Sequence, residues 1–278
     1  MKMQPSIIFE PHIPTALQRA LEHAGDDGFV ASTPQLLHAR TSAPYDNIIW
    51  NTWFTAHSEE STVTTPQGNR VVVTIHGGGI FGSPERFERS LNADLNHSNS
   101  EGITGQTAAK ISQQEAHDVL EGRLPNGSEI PVYAFDEFRR GVTDLPMRYG
   151  VILDFELARK SKRGYERFEI LENDPNMIVR AGGVEPLAAY LDKFKDRHDT
   201  ELMGNWHPFN RIDPDQPQTR ITFLAGNKGG VGSDVATGYG YDEEYGMGGD
   251  ASMVGMARYI AVAPHDTSTN LREQDFEY

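Results

Sequence analysis

Arg70-Val-Val-Val-Thr-Ile-His-Gly-Gly-Gly79 is the stretch from which the fold is read. Val71 to Ile75 are all β-branched, side chains that pack well on a pleated surface and are stiff in a helix. The glycines after His76 permit positive φ and leave backbone N–H groups open at the strand end. Ahead of the strand, Pro66-Gln-Gly68 reads as a turn, so Ser61–Thr65 is the expected hairpin partner.

Working outward, strands alternate with short helices. Thr15–Ala24 carries Leu17, Ala20, Leu21 and Ala24 on one helical face. Ser32-Thr33-Pro34 opens a helix over Gln35–Arg40, and Ser83-Pro84 opens another. Ser112-Gln-Gln-Glu115 is a capping box before Ala116–Leu120. Further strands are expected at Ile130–Tyr133, Tyr149–Phe155, Met177–Ala181, Arg220–Leu224 and Arg258–Ala263, with helices at Phe135–Arg140 and Pro186–Phe194. The pattern predicts an α/β or α+β chain with a mixed layered sheet, flanking helices and a single core. Short connections make part of the sheet antiparallel. We expect one globular domain over 1–278, with a glycine-rich loop insertion at 226–255, where ten of thirty positions are glycine.

The 278 residues contain no cysteine, which removes disulfides, thiolate zinc sites, iron–sulfur clusters and a cysteine nucleophile. Met1–Glu10 has no apolar signal region and no apolar run approaches a membrane span, so a cytoplasmic location is expected. The formal charge of −15 argues against nucleic acid and anionic membrane partners. The basic run Arg159–Arg163 is read as a solvated segment.

Residues 71–83, VVVTIHGGGIFGS, resemble the oxyanion-hole segment of lipase- and esterase-type α/β hydrolases. That likeness implies amides at Gly77, Gly78 and Gly79 facing a developing oxyanion. The Gly-x-Ser-x-Gly elbow of those enzymes is absent, and the bulky neighbours of Asp154 do not suit a carboxylate nucleophile. Asn227-Lys-Gly-Gly-Val-Gly232 is similar to the start of a deviant Walker A loop, but Ser233-Asp234 stands where Lys-Ser/Thr should follow.

The candidate catalytic residues are His76, Asp154 and Glu156, the two acids being expected to share one strand face. Gly77, Gly78, Gly79 and His207 are the candidate ligand contacts, His207 lying between Trp206 and Phe209. No cofactor is expected. A divalent cation is the alternative, at Asp154 and Glu156 or among Asp234, Asp242, Glu243, Glu244 and Asp250. Whether the chain is an enzyme stays open. The readings carried forward are a small-molecule-binding protein or enzyme built on the 76–79 nest, an esterase with an atypical nucleophile, and a self-assembling protein. A homo-oligomer joined through 226–255 and the acidic tail Arg272–Tyr278 is expected.

Overall fold

The computed structural model describes residues 3–95, 101–104, 108–162, 164–206, 215–226, 230–234 and 257–264. In chain order the strands are β1 (Met3–Glu10), β2 (Phe29–Val30), β3 (Phe54–Thr64), β4 (Arg70–His76), β5 (Ile103–Thr104), β6 (Ala108–Lys110), β7 (Val132–Ala134), β8 (Tyr149–Asp154), β9 (Gly164–Arg167), β10 (Leu202–Trp206), β11 (Gln218–Leu224), β12 (Val231–Asp234) and β13 (Ala257–Pro264). The helices are α1 (Ile13–Ala24), α2 (Thr33–Ser42), α3 (Ile48–Asn51), α4 (Pro84–Leu95), α5 (Gln113–Leu120), α6 (Phe135–Arg139), α7 (Phe155–Ala158), α8 (Phe168–Leu171), α9 (Pro175–Ala181) and α10 (Val184–His198).

Most strands form one mixed sheet in the order β7-β8-β4-β3-β11-β12-β10-β9, with β6 beside β11 and β5 beside β6. β7·β8 and β10·β12 are parallel pairs; the remaining pairs in this sheet are antiparallel. A second sheet, β1-β13-β2, joins the first residues of the chain to 257–264. The hairpin predicted from the Pro66-Gln-Gly68 turn is present, with Val63 opposite Val71 and Ser58 opposite His76.

Every residue of β4 after Arg70 is buried. A strand apolar without interruption is one covered on both faces. Val72, Val151 and Leu153 face a cluster with Phe54, Tyr190 and Phe194, beneath α2, α9 and α10. Val71, Val73 and Ile75 face the other way, into a cluster with Leu17, Phe87 and Val119 from α1, α4 and α5. The sheet thus runs between two apolar clusters.

The capping chemistry read from the sequence starts its helices as expected. The Ser112 hydroxyl accepts from Glu115 N at 3.1 Å, and Glu115 Oε2 accepts from Ser112 N at 2.7 Å. Two expectations are corrected. Met177–Ala181 is not a strand but the body of α9. Asp174 Oδ1 accepts from the amides of Asn176 and Met177, Pro175 sits in the first turn, and this cap outweighs the strand preference of Ile178-Val179. Asp154 and Glu156 do not share a strand face either. β8 stops at Asp154, whose side chain accepts from Leu157 N at 2.9 Å and caps α7, placing Glu156 on the helix. Among the described residues no helix is long and apolar enough to cross a membrane.

α9 is fastened to the sheet by charge. Arg180 donates from Nε to Glu60 Oε1 at 2.6 Å and from Nη2 to Glu60 Oε2 at 3.0 Å, with the two side chains 0% and 1% exposed. Its Nη1 donates to Asn205 Oδ1 at 3.1 Å, and Arg220 Nε on β11 lies 3.8 Å from Glu60 Oε2. One carboxylate therefore joins β3, β11, β10 and α9. Removing one partner of a buried pair leaves the other charge uncompensated. Glu60→Gln is expected to lower the unfolding free energy by about 3–5 kcal/mol, read from urea denaturation. The exposed Glu156→Gln should move it by less than about 0.5 kcal/mol.

Candidate functional site

The residues singled out by sequence fall into two groups that the sheet keeps apart. His76 ends β4 opposite Tyr149, whereas Asp154 lies opposite Val71 at the other end of the same ladder. Five residues along a strand separate them, about 17 Å. Asp154 is exposed and spent as a helix cap, and Glu156, also exposed, pairs with Arg159 at 3.2 Å. His207 lies outside the described residues, as do Asp242, Glu243, Glu244 and Asp250 and the tail Arg272–Tyr278.

The amides that gather round an anion are those of residues 79–82, not 77–79 as expected, and the chain supplies that anion itself. β3 turns successive side chains to opposite faces of the sheet, so Glu59 points away from Glu60 and under the loop. Its Oε1 accepts from Gly79 N at 3.0 Å, and the amides of Ile80, Phe81 and Gly82 turn to the same carboxylate. A Cβ at residue 79 would come within 2.9 Å of Glu59 Oε2, so any side chain there displaces the carboxylate. The amides of Gly77 and Gly78 donate to the carbonyl of His57 at 2.8 and 3.0 Å, with φ of +88° and +94°. Phe81 pins the loop by stacking on Phe87 of α4, ring centroids 4.4 Å apart.

Burial pushes the Glu59 carboxyl up to about 7, against the opposing pull of the four amides. Beside it Tyr259 is buried, its hydroxyl pushed up by burial and then by the Glu59 charge. Burial, then the nearby Arg148 guanidinium, holds His57 down to about 4.

His76 is 0% exposed, and burial depresses it to about 4. Its Nε2 donates to the Val179 carbonyl at 3.0 Å, which leaves Nδ1 to accept from the Ser58 hydroxyl at 2.8 Å. Ser58 Oγ also accepts from Thr33 N at 3.0 Å. A serine–histidine contact of this kind can activate a hydroxyl. Here Ser58 is 1% exposed and lies beneath α9, so the pair braces β3, β4, α2 and α9 against one another.

Sequence reading missed Ser58, Glu59, Glu60 and Arg180. A signal was present: the hairpin register, extended back from Val63 opposite Val71, places Glu59 opposite Ile75 and Glu60 opposite Thr74. Two acids facing buried strand positions must find partners.

Two surface features remain. A cleft of about 280 Å³ lies on the outer side of the glycine loop, between α4 and α5. Its three arginines face carboxylates: Arg86 meets Glu115 at 2.5 Å, Arg123 meets Asp118 at 2.8 Å, and Arg89 meets Glu101 at 3.5 Å. The second feature is the outer face of β9 and β10. Tyr165 lies opposite Gly204, with Leu202 and Trp206 on the same side of β10. Tyr165 is 37% and Leu202 44% exposed, and Tyr165 meets Trp206 edge-on at 5.7 Å. Trp206, the last residue of β10, is level with Gly232 near the start of the parallel neighbour β12.

No protein-family model matches the chain, and no curated relative matches it. It is similar to a solved structure described as "Accommodation of massive sequence variation in Nanoarchaeota by the C-type lectin fold". The TM-score is 0.63 at 23% identity, over 94% of this chain and 98% of that one. At that identity the likeness is one of fold alone.

The buried groups set opposing pH dependences. His57 and His76, with folded pKa values below the unfolded 6.5, contribute stability that is present above 6.5 and lost as pH falls toward 4. Glu59, raised above its unfolded 4.5, contributes stability that is present below 4.5 and lost as pH rises through about 7. With Glu59→Gln the compensation disappears. Stability should then fall more steeply between pH 6.5 and 4.5, by about 1.4 kcal/mol per pH unit, measured by urea denaturation across that range.

Proposed function

We propose that this chain is a binding protein, not an enzyme, whose contact surface is the outer face of β9 and β10. The observation that carries this reading is that the expected oxyanion donors are all engaged within the chain, Gly77 and Gly78 by the His57 carbonyl and Gly79 by Glu59. The other catalytic candidates are also committed. His76 has both ring nitrogens engaged in the interior, and Asp154 lies at the opposite end of the ladder. A reactive site needs its acid, base and oxyanion donors to converge on one open volume.

The β9–β10 face has what a contact surface needs. Tyrosine and tryptophan offer large, rigid area with a polar edge and lose little rotamer freedom on binding. The interior is held by Glu59 in its nest and Glu60 on Arg180, contacts that do not draw on Leu202 or Arg167. Leu202 and Arg167 can therefore change without touching these anchoring contacts. The similar nanoarchaeal structure, described by the accommodation of massive sequence variation, fits that division of labour.

A library randomised at Tyr165, Arg167, Leu202 and Trp206 tests the proposal. Most members should stay folded by circular dichroism and thermal melting, and selection against unrelated targets should return binders that differ at these four positions. Widespread unfolding of the library would overturn the reading. So would turnover of p-nitrophenyl esters by the wild type that is lost in His76→Ala.

A further inference from the structure

β1 is an edge strand whose outer side faces no other strand among the described residues. β13 pairs with it along all eight residues without a register shift, and β2 stands at the far edge of the same sheet. Among the described residues the edge strands of the larger sheet, β5, β7 and β9, are two, three and four residues long. Proteins normally blunt a long edge with lysine, a bulge, proline or a covering element. β1, Met-Gln-Pro-Ser-Ile-Ile-Phe-Glu, has no basic residue and no bulge. Pro5 removes one N–H and leaves Ser6–Glu10 able to pair.

The outer face of this segment is apolar. Ile7 is 44% and Phe9 46% exposed, while Ile8 between them packs inward. On β13, Arg258 lies opposite Phe9 with its guanidinium 5.0 Å from the ring.

We propose that β1 is a self-association edge: two copies pair β1 against β1, antiparallel about a two-fold axis, and join their three-stranded sheets into one of six. Charge favours a second copy at this place. A chain of net charge −15 repels itself over most of its surface. β1 carries one acid, Glu10, and Arg19 of α1 is bonded to it, with Arg258 close by. Antiparallel pairing centred on Ile8 sets Ile7 of each copy opposite Phe9 of the other, and Glu10 opposite Ser6. No like charges meet, and β-branched residues face aromatics, a favourable cross-strand pair. The two-fold uses each edge once and leaves neither open, so the assembly closes at a dimer.

Sedimentation equilibrium on the full chain should give a dimer. Ile7→Lys and Phe9→Lys, at half-exposed positions, should each abolish the dimer while the circular-dichroism spectrum and melting temperature stay those of the wild type. Hydrogen exchange at the Ile7 and Phe9 amides should slow as protein concentration rises. A wild-type monomer would overturn the proposal, and so would a dimer that survives both lysine variants. Protection of these two amides that is independent of concentration would also overturn it, because another part of the same chain would then cover the edge.

Discussion

Glu59 and Glu60 are consecutive residues of a central strand, and both are buried. A strand sends neighbouring side chains to opposite faces, so each glutamate enters a different side of the sheet. Neither can remain an unpaired charge there, because an isolated buried carboxylate is costly to desolvate. Glu60 is neutralised by Arg180, in a two-point contact that binds α9 to β3 and reaches β10 through Asn205. Among the described residues Glu59 meets no guanidinium, and the amides of the glycine loop hold it. The positions of α9 on one face and of the 77–82 loop on the other both follow from this pair.

The same constraint bears on function. A glycine nest behind a strand and a serine hydroxyl on a histidine nitrogen are components that hydrolases use. In this chain they serve the interior. The nest receives a carboxylate from the neighbouring strand. The serine–histidine contact links β3 to β4 beneath a helix, and its second histidine nitrogen is tied to Val179. A scaffold anchored from within leaves its outer strands free to carry recognition chemistry. β9 and β10, the face proposed above as a contact surface, expose Tyr165 and Leu202 with Trp206 half-buried beside them.

Much of the fold was legible in the sequence because it is set by local chemistry. The β-branched run gave β4, the turn at Pro66-Gln-Gly68 gave its hairpin partner, and the Ser112–Glu115 box gave the start of α5. These readings need no information beyond a few neighbouring residues. The errors arose where a local preference met a competing local contact. Ile178-Val179 favours a strand, but Asp174 supplies a helix cap that decides the segment. Asp154 and Glu156 were expected to share a strand face, yet the Asp154 carboxylate accepts from Leu157 N and turns the chain into a helix. Both acids were visible, and their role as caps was the missing inference.

Composition and local pattern suffice for a layered, mixed α/β chain without cysteine chemistry and with a glycine turn at the end of β4. The hairpin partner read at Ser61–Thr65 stopped short of the two glutamates, and the full β3–β4 register places them on opposite faces. What receives each of them was decided only in the tertiary structure. Arg180 lies 120 positions from Glu60 along the chain, and no spacing rule connects two residues that distant. The nest's occupant is likewise fixed by the folding of the 77–82 loop back over β3. Local residues set where polar groups must be satisfied, and the packing of distant elements sets which groups satisfy them.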